Sequence, residues 1–387
     1  MPVIPGFLDR LAFRANLAPV AILDVHGAAS LHAVALADDL GVFAALDGPR
    51  TLADLAAALA CEEDTLRRLL DTLVAVGYVD RSGDEYWRTR TTTRWLTDDG
   101  DANLAPFARF WVEVVLPYWR EHAERAVREG EPGESLYDWL GDDEAAWATT
   151  QAGFRAAASL LVDPVADALG DVDGARVLDL GGGHGAYAVE LARRGASVTL
   201  VDRSPALEPA REAAADADVD VTFVGGDYLS EDLWRRVAEH DARSGSRPSS
   251  DIDGTDSGGS DPDGADSAGG DDANAGYDLV LLFNVLHGHA PAEAATLLEY
   301  AAAVLAPGGR LAILDQFGRG GRSSVADVGV ALIDLTYLIT LGGGTLDPDM
   351  VNRWLGDAGL STVGTETFRR APGVKLLRVE LPYADRE

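Results

Sequence analysis

The sequence predicts an α/β protein with a Rossmann-like, doubly wound and mostly parallel sheet of seven strands, preceded by a mainly helical winged-helix domain. Strand-like and helix-like patterns alternate from residue 175 onward, which is typical of a parallel sheet covered on both faces. An apolar strand pattern at residues 177–180 runs straight into a glycine-rich turn at 181–185. Two short helix patterns and a hairpin pattern follow one another over residues 51–87.

The glycine-rich turn is followed at once by a helix pattern over residues 186–194. Glycines permit positive φ angles and let a ligand approach the backbone where side chains would block it. A polar cofactor is therefore expected to lie over this turn. Gly181, Gly183 and Ala186 also fit the loose dinucleotide pattern G-x-G-x-x-G/A, so the turn alone is compatible with NAD.

Further strands are predicted after the turn. The strand at 277–286 is almost continuously apolar, as expected of a strand that is buried on both faces. In such folds ligands bind outside the carboxyl ends of the strands. Polar residues that directly follow a strand are therefore the leading site candidates. The other predicted strands are residues 197–202, 219–224, 310–317 and a closing hairpin of 361–368 with 375–381.

The N-terminal region has the pattern of a winged helix, an arrangement that often binds DNA. Thr51, with Asp54 three residues later, has the pattern of a helix N-cap. The helix that would enter the DNA groove begins with three acids at residues 62–64, which would repel phosphates. We therefore expect a dimerisation or structural role. The predicted elements are helices at 28–46, 52–60 and 63–76 and a hairpin at 78–87.

A second helical region, residues 104–119, carries an unusually aromatic stripe. Pro117 is expected to kink or end this helix. The rings fit two interpretations: packing against the second domain or a dimer partner, or the lining of an aromatic substrate pocket. The stripe consists of Phe107, Phe110, Trp111, Val114, Val115, Tyr118 and Trp119.

The composition is strongly acidic, with a formal net charge of −32 over 387 residues. Almost every cation is an arginine, since Lys375 is the single lysine. Acidic, lysine-poor surfaces resemble those of salt-loving microbes, whose concentrated cytoplasmic salt screens the repulsion, so a halophilic source is expected. The same charge argues against nucleic acid as a partner, because phosphate binding requires a basic face.

Other protein classes are also disfavoured. The single cysteine, Cys61, excludes an internal disulfide, and no metal cluster is expected. No apolar run reaches membrane-spanning length, and the N-terminus lacks the pattern of a signal peptide. We expect a cytoplasmic protein with no membrane partner and no metal.

Acids near the predicted strand ends favour S-adenosylmethionine over NAD. Asp179 lies inside the strand end, where it suits a ligand with an ammonium and a sulfonium group. Asp227 follows the third strand, and the fourth ends in Asn-Val-Leu-His at residues 284–287. Together with Ala-Pro-Gly-Gly at 306–309, these motifs resemble the class I methyltransferases. The layout over residues 20–381 is similar to the O-methyltransferase family that includes the plant caffeate and the acetylserotonin enzymes.

The resemblance implies cofactor-binding roles for seven residues. Asp179, Gly181 and Gly183 match the motif that holds the methionine part and the ribose. Asp202 matches the acid that binds both ribose hydroxyls, although an acid before Pro205 could instead be a helix N-cap. Asp227 matches the acid that contacts adenine, with the helix cap as its alternative, and Tyr228 is a stacking candidate beside it. Asn284 completes the set at the end of the fourth strand.

The resemblance also implies a catalytic histidine. His287 stands where the family has its general base, and Asp315 matches the first of two acids that orient it. At the place of the second acid stands Leu346, with Asp347 next to it. His289 is a secondary candidate for the base. His184, inside the glycine turn, is expected to contact the ligand region or to cap the helix.

With these roles the chain divides into three parts. They are a winged-helix-like dimerisation domain at residues 1–100, a helical connector at 101–172 that lines the substrate pocket, and an S-adenosylmethionine-binding catalytic domain at 173–387. Residues 241–276 are rich in Asp, Ser and Gly and show no period. Such a segment buries too little apolar surface to offset its ordering entropy. We expect it to be a disordered acidic insertion.

The sequence thus favours a homodimeric O-methyltransferase that acts on a small hydroxylated, aromatic molecule. Three alternatives stay open. The same fold could methylate carbon or nitrogen, in which case His287 need not be essential. The chain could be a non-enzymatic regulator that senses a ligand, or an NAD oxidoreductase, which Asp179 disfavours.

Overall fold

The computed structural model describes residue 15, residue 19 and the ranges 21–243, 276–318 and 324–381. The described chain forms two compact units. One unit contains the residues up to Arg120 together with Ala145–Leu160, and the other contains Glu121–Glu144 together with the residues from Leu161 onward. Most of the predicted acidic insertion at 241–276 lies outside the described residues.

The first unit has the predicted order of helices followed by a hairpin. Its core is formed by apolar side chains of the helices and of the three-stranded antiparallel sheet β1-β3-β2. The elements are α1 (Ile22–Asp39), α2 (Val42–Ala45), β1 (Arg50–Thr51), α3 (Leu52–Ala58), α4 (Glu63–Ala75), β2 (Val79–Ser82), β3 (Glu85–Arg88), α5 (Arg90–Trp95) and α6 (Ala105–Phe110).

The predicted N-cap of α3 is confirmed. The Thr51 hydroxyl accepts a hydrogen bond from the backbone N–H of Asp54 at 3.2 Å and donates to the Asp54 carboxylate at 2.7 Å. The first bond pairs a backbone N–H that the first turn of a helix leaves without a partner, and the second engages a carboxylate in that turn. The local sequence therefore fixes where this helix begins.

Pro117 does not end the aromatic helix, so that part of the prediction is wrong. The helix passes through a π-helical turn, Trp111–Val115, and continues as α7 (Leu116–Glu129). A proline lacks the N–H that would bond to the carbonyl four residues earlier. A π-helical turn is wider than an α-helical turn, and this one comes just before Pro117. The hydrogen-bond pattern is therefore already irregular where the proline lacks its N–H, and the helix continues.

The aromatic stripe of the first unit packs against itself and against α9 (Glu144–Ala158). The rings of Phe110 and Phe154 meet edge to face with centroids 5.0 Å apart. Trp111 lies 6.3 Å from both Phe107 and Trp119. A Cβ at Gly153 would overlap the side chain of Phe110, so glycine is required for this close approach. These contacts pack the stripe within its own unit, and both interpretations of the stripe stay predictions.

The second unit contains the predicted seven-stranded sheet, in the order β6-β5-β4-β7-β8-β10-β9. Neighbouring strands from β6 to β8 are parallel, and β10 is antiparallel to both β8 and β9. The fold class is therefore confirmed. The strands are β4 (Arg176–Leu180), β5 (Ser197–Asp202), β6 (Val221–Gly225), β7 (Tyr277–Phe283), β8 (Leu305–Gln316), β9 (Ser361–Thr367) and β10 (Val374–Glu380).

Helices cover the sheet, and its central strands are almost completely buried. Strand β8 is longer than the predicted 310–317, because the Ala-Pro-Gly-Gly segment joins it with a register irregularity against β7. The helices are α8 (Leu136–Leu140), α10 (Val162–Leu169), α11 (Ala186–Arg193), α12 (Ser204–Asp216), α13 (Glu231–Arg243), α14 (Pro291–Ala303), α15 (Val325–Leu341) and α16 (Pro348–Asp357).

None of the helices that the structure describes is both long and apolar enough to cross a membrane. Among the side chains of the same described ranges, no three His, Cys, Asp or Glu residues gather as a metal site.

Candidate active site

The glycine-rich turn connects the end of β4 to the start of α11. Gly181, Gly183 and Gly185 all have positive φ, at 71°, 40° and 70°. Only glycine adopts such angles without strain, so the sequence dictates the path of this turn. His184 Nδ1 accepts a hydrogen bond from the N–H of Ala186 at 3.1 Å, which confirms the helix-capping alternative for this histidine.

Asp179 lies directly beneath the turn and is 1% exposed. Neither of its carboxylate oxygens has a hydrogen-bond partner. Burial, and secondarily the nearby Asp202, raise the pKa of Asp179 to about 7. A buried carboxylate without a partner is unfavourable, and a cationic ligand would relieve it.

Asp202 ends β5 and connects that strand to the glycine turn. Its Oδ2 accepts from the N–H of Gly183 at 2.8 Å, and its Oδ1 accepts from the N–H of Arg203 at 2.6 Å. Burial raises the pKa of Asp202 to about 6, although both backbone bonds oppose that shift. Since α12 begins at Ser204 with no side-chain cap, the N-cap alternative for Asp202 is wrong.

Asp227 and Tyr228 follow β6, as predicted. The exposed Asp227 carboxylate accepts from the N–H of Leu229 at 2.9 Å, in the turn that precedes α13. The Tyr228 hydroxyl lies 3.1 Å from Nε2 of His289, and the two rings meet edge to face. Tyr228 therefore connects the loop after β6 to the loop after β7.

Asn284 directly follows β7 and has a φ of 55°. A left-handed backbone is uncommon for a residue with a side chain, and such strain is found preferentially at functional sites. Its N–H donates to the carbonyl of Leu314 at 2.7 Å, while its side chain is exposed. Since β7 pairs with both β4 and β8, Asn284 lies on the sheet edge that carries the glycine turn.

His287 and Asp315 form a buried pair, 6% and 0% exposed. His287 Nδ1 lies 2.8 Å from Asp315 Oδ1, and the His287 backbone N–H donates to Oδ2 at 3.3 Å. The N–H of Gln316 also donates to Oδ1, at 2.7 Å. Because the carboxylate accepts the proton on Nδ1, the tautomer of His287 leaves the lone pair on Nε2.

The second acid that the resemblance implies would stand at residue 346 or 347, and both residues have other roles. Leu346 is 3% exposed and belongs to the apolar core. Asp347 accepts from the N–H groups of Asp349 and Met350, so it caps α16. Instead, the N–H of Gly344 donates to the His287 carbonyl at 3.1 Å.

His289 lies in a partly buried position beside the donor-site loops. Its Nδ1 is 3.4 Å from the carboxylate of Glu293. Burial lowers the pKa of His289, and Glu293 opposes this effect. With Tyr228 on one nitrogen and Glu293 on the other, both ring nitrogens are engaged, which leaves His287 as the better candidate for a base.

Four residues of this site were not predicted from the sequence. The ring of Tyr337 on α15 stacks on His287, with centroids 3.6 Å apart and an angle of 12° between the planes. The Arg203 guanidinium donates to Asp138 on α8 at 2.8 Å and lies 5.8 Å from the centre of the Tyr137 ring. The proximity of Arg203 to Asp202 in sequence was the one available signal.

Two family profiles match parts of this chain. Residues 153–363 match the family profile described as a methyltransferase domain. Residues 25–99 match the profile of the O-methyltransferase dimerisation domain.

Individual relatives are distant. The chain is 32% identical over 223 residues to the mitomycin biosynthesis 6-O-methyltransferase of Streptomyces lavendulae, which is 54% of this chain and 62% of that enzyme. It is 27% identical to the aclacinomycin 10-hydroxylase RdmB of Streptomyces purpurascens, over 83% of this chain and 78% of that one. The structure of human N-acetylserotonin methyltransferase with SAM superposes with a TM-score of 0.70 and 20% identity, covering 98% of this chain and 99% of that chain.

Proposed function

The chain belongs to the methyltransferase domain family, and we propose that it moves a methyl group from S-adenosylmethionine to a hydroxyl group of a small aromatic molecule. The observation that carries this proposal is the buried pair of His287, which follows β7, and Asp315, which lies near the end of β8. It provides a base at the edge of the sheet where the family holds its ligands.

The residues of the glycine turn fit the donor. S-adenosylmethionine carries an ammonium group, and the buried, unpartnered carboxylate of Asp179 is suited to it. We propose that Asp179, Gly181 and Gly183 hold the methionine part and that Asp202 binds the ribose hydroxyls. Asp227, Tyr228 and Asn284 complete the donor site on the neighbouring loops. The bound donor supplies a methyl group made electrophilic by the sulfonium.

The reaction needs a place for the acceptor's proton. A hydroxyl group attacks a methyl carbon more readily as it loses that proton, and neutral imidazole accepts it near physiological pH. Because Asp315 holds the proton on Nδ1, Nε2 of His287 is the atom that receives it. Asp315 then stabilises the imidazolium that forms. The rest of the rate enhancement comes from aligning acceptor and donor.

The names of two relatives support O-methylation and also indicate that hydroxylation is an alternative reaction. The mitomycin relative is named a 6-O-methyltransferase, while the relative with the longer alignment is named a 10-hydroxylase. The same framework can therefore hold a different chemistry. Methylation of carbon or nitrogen would also use the donor site, but it would not require the His287–Asp315 pair.

We also propose a homodimer formed through the N-terminal unit. Helix α1 exposes three apolar side chains, Ile22, Val25 and Leu36, at 43%, 61% and 49%. Their spacing places them on one stripe of the helix. The family profile matched by residues 25–99 is a dimerisation domain, which supports this assignment.

The function is tested by binding and by transfer of label. Calorimetry in high salt should detect binding of S-adenosylmethionine and S-adenosylhomocysteine, and binding of NAD alone would overturn the proposal. A screen of phenolic acceptors with methyl-labelled donor should then give a labelled methyl ether. His287→Ala should retain donor binding and lose turnover, while His32→Ala, an exposed histidine of α1, should change neither.

A further inference from the structure

The imidazole of His287 is in contact with Tyr337 as well as Asp315. The Tyr337 ring lies almost parallel to it, at 12°, with a centroid separation of 3.6 Å. Face-to-face stacking at this distance covers one face of the imidazole. The contact joins the turn after β7 to the middle of α15.

One hydrogen bond alone does not fix the orientation of a histidine ring. The bond from Nδ1 to Asp315 holds one edge, but the ring can still rock about that edge and move Nε2. An enzyme's reacting groups need to be held within a fraction of an ångström. A second acid would restrain the ring, and in this chain Leu346 stands in its place within the core.

The helix that carries Tyr337 is itself anchored beside His287. The glycine run after α15 brings the N–H of Gly344 to the His287 carbonyl, at 3.1 Å. A Cβ at Gly343 would overlap that carbonyl, so glycine is required for this contact. The turn that bears His287 is thus held from its backbone and from its ring by the same segment of chain.

We propose that Tyr337 is a positioning residue for His287, which fixes the imidazole plane by stacking where a second acid is missing. This inference rests on the proposed function, in which His287 is the base. The lone pair of Nε2 lies in the ring plane, so the acceptor hydroxyl must approach in that plane, and a ring plane held by Tyr337 fixes the direction of approach. The stacked ring, and not its hydroxyl group, carries the role.

Substitutions at Tyr337 separate the ring from the hydroxyl. Tyr337→Phe should keep kcat within about threefold, because the stack remains. Tyr337→Leu should lower kcat by about 10–100-fold, the size of effect expected when a reacting group is misplaced by about an ångström. The Kd for S-adenosylmethionine, measured by calorimetry, should stay within about twofold in both variants, because the ring contact described for Tyr337 is with His287 and not with the glycine turn.

Three further variants distinguish the loss of the stack from a general loss of folding. Tyr300→Leu removes a partly buried ring that packs on Trp234 in the same unit, and it should leave kcat unchanged. Tyr337→Trp should restore turnover relative to Tyr337→Leu. In a His287→Ala background, Tyr337→Leu should have no further effect on the residual rate, since it acts through His287.

Three results would overturn the proposal. Full kcat in Tyr337→Leu would show that the stack is not needed, and an equal loss in Tyr337→Phe would transfer the role to the hydroxyl. If the Leu variant loses donor binding as well as turnover, Tyr337 is structural and the positioning role is also wrong. Failure of the wild-type chain to transfer methyl groups, or full activity of His287→Ala, would instead contradict the proposed function.

Discussion

Arg203 Nη1 donates to Asp138 Oδ1 at 2.8 Å, although the two residues are 65 positions apart in the chain. The backbone N–H of the same arginine donates to Asp202. Arg203 therefore links helix α8 to the acid that we assign to the donor's ribose. The Tyr137 ring lies under the guanidinium, and burial raises the pKa of Tyr137 to about 12.

Removing this link should weaken donor binding. In Arg203→Ala we expect the Kd for S-adenosylmethionine to rise by about 3–10-fold, because α8 loses one of its attachments to the donor loop. The effect on stability should be small, at most about 1 kcal/mol, since both partners are about half exposed. Stopped-flow association and dissociation rates give the Kd, and thermal melting gives the change in stability.

Arg94→Ala is the matched control, because Arg94 forms a similarly exposed ion pair with Asp101 in the first unit. It should leave the donor Kd unchanged. An equal weakening in both variants would indicate a general loss of charge rather than the loss of this link.

Asp179→Asn should stabilise the donor-free protein while weakening donor binding. A carboxylate whose pKa rises from 3.8 to about 7 on folding retains a proton that the unfolded chain has released. Donor-free stability therefore falls as pH rises between about 4 and 7, then levels off, and the amide removes this loss. At pH 8 we expect the variant to be more stable by about 1–3 kcal/mol in denaturant unfolding.

Donor affinity should have the opposite pH dependence. An ammonium ligand needs the ionised carboxylate, so the wild-type Kd should improve by about tenfold between pH 5.5 and 7. Most of this improvement should be lost in Asp179→Asn, and the smaller part that remains comes from Asp202, whose pKa is also raised. Asp278→Asn is the control, since Asp278 accepts only a structural bond from the N–H of Arg176 among its described contacts. A pH-independent wild-type Kd would contradict the assignment of Asp179.

Asp315→Asn should lower kcat by about 10²–10⁴-fold, as expected when a histidine loses control of its tautomer. The amide cannot accept all three N–H donors that now converge on the carboxylate. Asp278→Asn is the control, because Asp278 in the same unit accepts from the backbone N–H of Arg176 at 2.8 Å. Steady-state kinetics with labelled donor measure the change in kcat. Unchanged turnover in Asp315→Asn would favour methylation that needs no base.

Val25→Asp should convert the proposed dimer to a monomer, because it places a charge in the middle of the exposed apolar stripe of α1. Light scattering after size exclusion in high salt measures the mass. Val127→Asp is the control, since Val127 on α7 is as exposed, at 65% compared with 61%. A wild-type monomer, or a dimer in Val25→Asp, would contradict the assignment of this surface.

The site residues at the strand ends could be predicted from the sequence, because the sheet topology determines where these ends lie. Continuous apolar patterns located the strands, and in a parallel sheet their carboxyl ends meet at one edge. This is why Asp179, Asp202, His287 and Asp315 could be grouped before the structure was known. Asp202 and Asp315 then accept hydrogen bonds from backbone N–H groups at these strand ends.

Contacts between distant helices and loops were not predictable in the same way. Tyr337 lies in the middle of a helix whose pattern is apolar on most sides, so nothing in its neighbours marks it as a partner of His287. The prediction that Pro117 could end its helix is wrong because a local rule for prolines takes no account of a neighbouring π-helical turn. Such features depend on which surfaces meet, and a single sequence does not encode that locally.

The unpartnered carboxylate beneath the glycine turn has a consequence for catalytic turnover. Methyl transfer removes the charge on the donor's sulfur but leaves its ammonium group in place. If Asp179 partners that ammonium, donor and product satisfy it equally, and the interaction tightens both complexes without lowering the barrier between them. The demethylated product should therefore leave slowly and act as a strong competitive inhibitor, so that the enzyme's output depends on how quickly the cell clears that product.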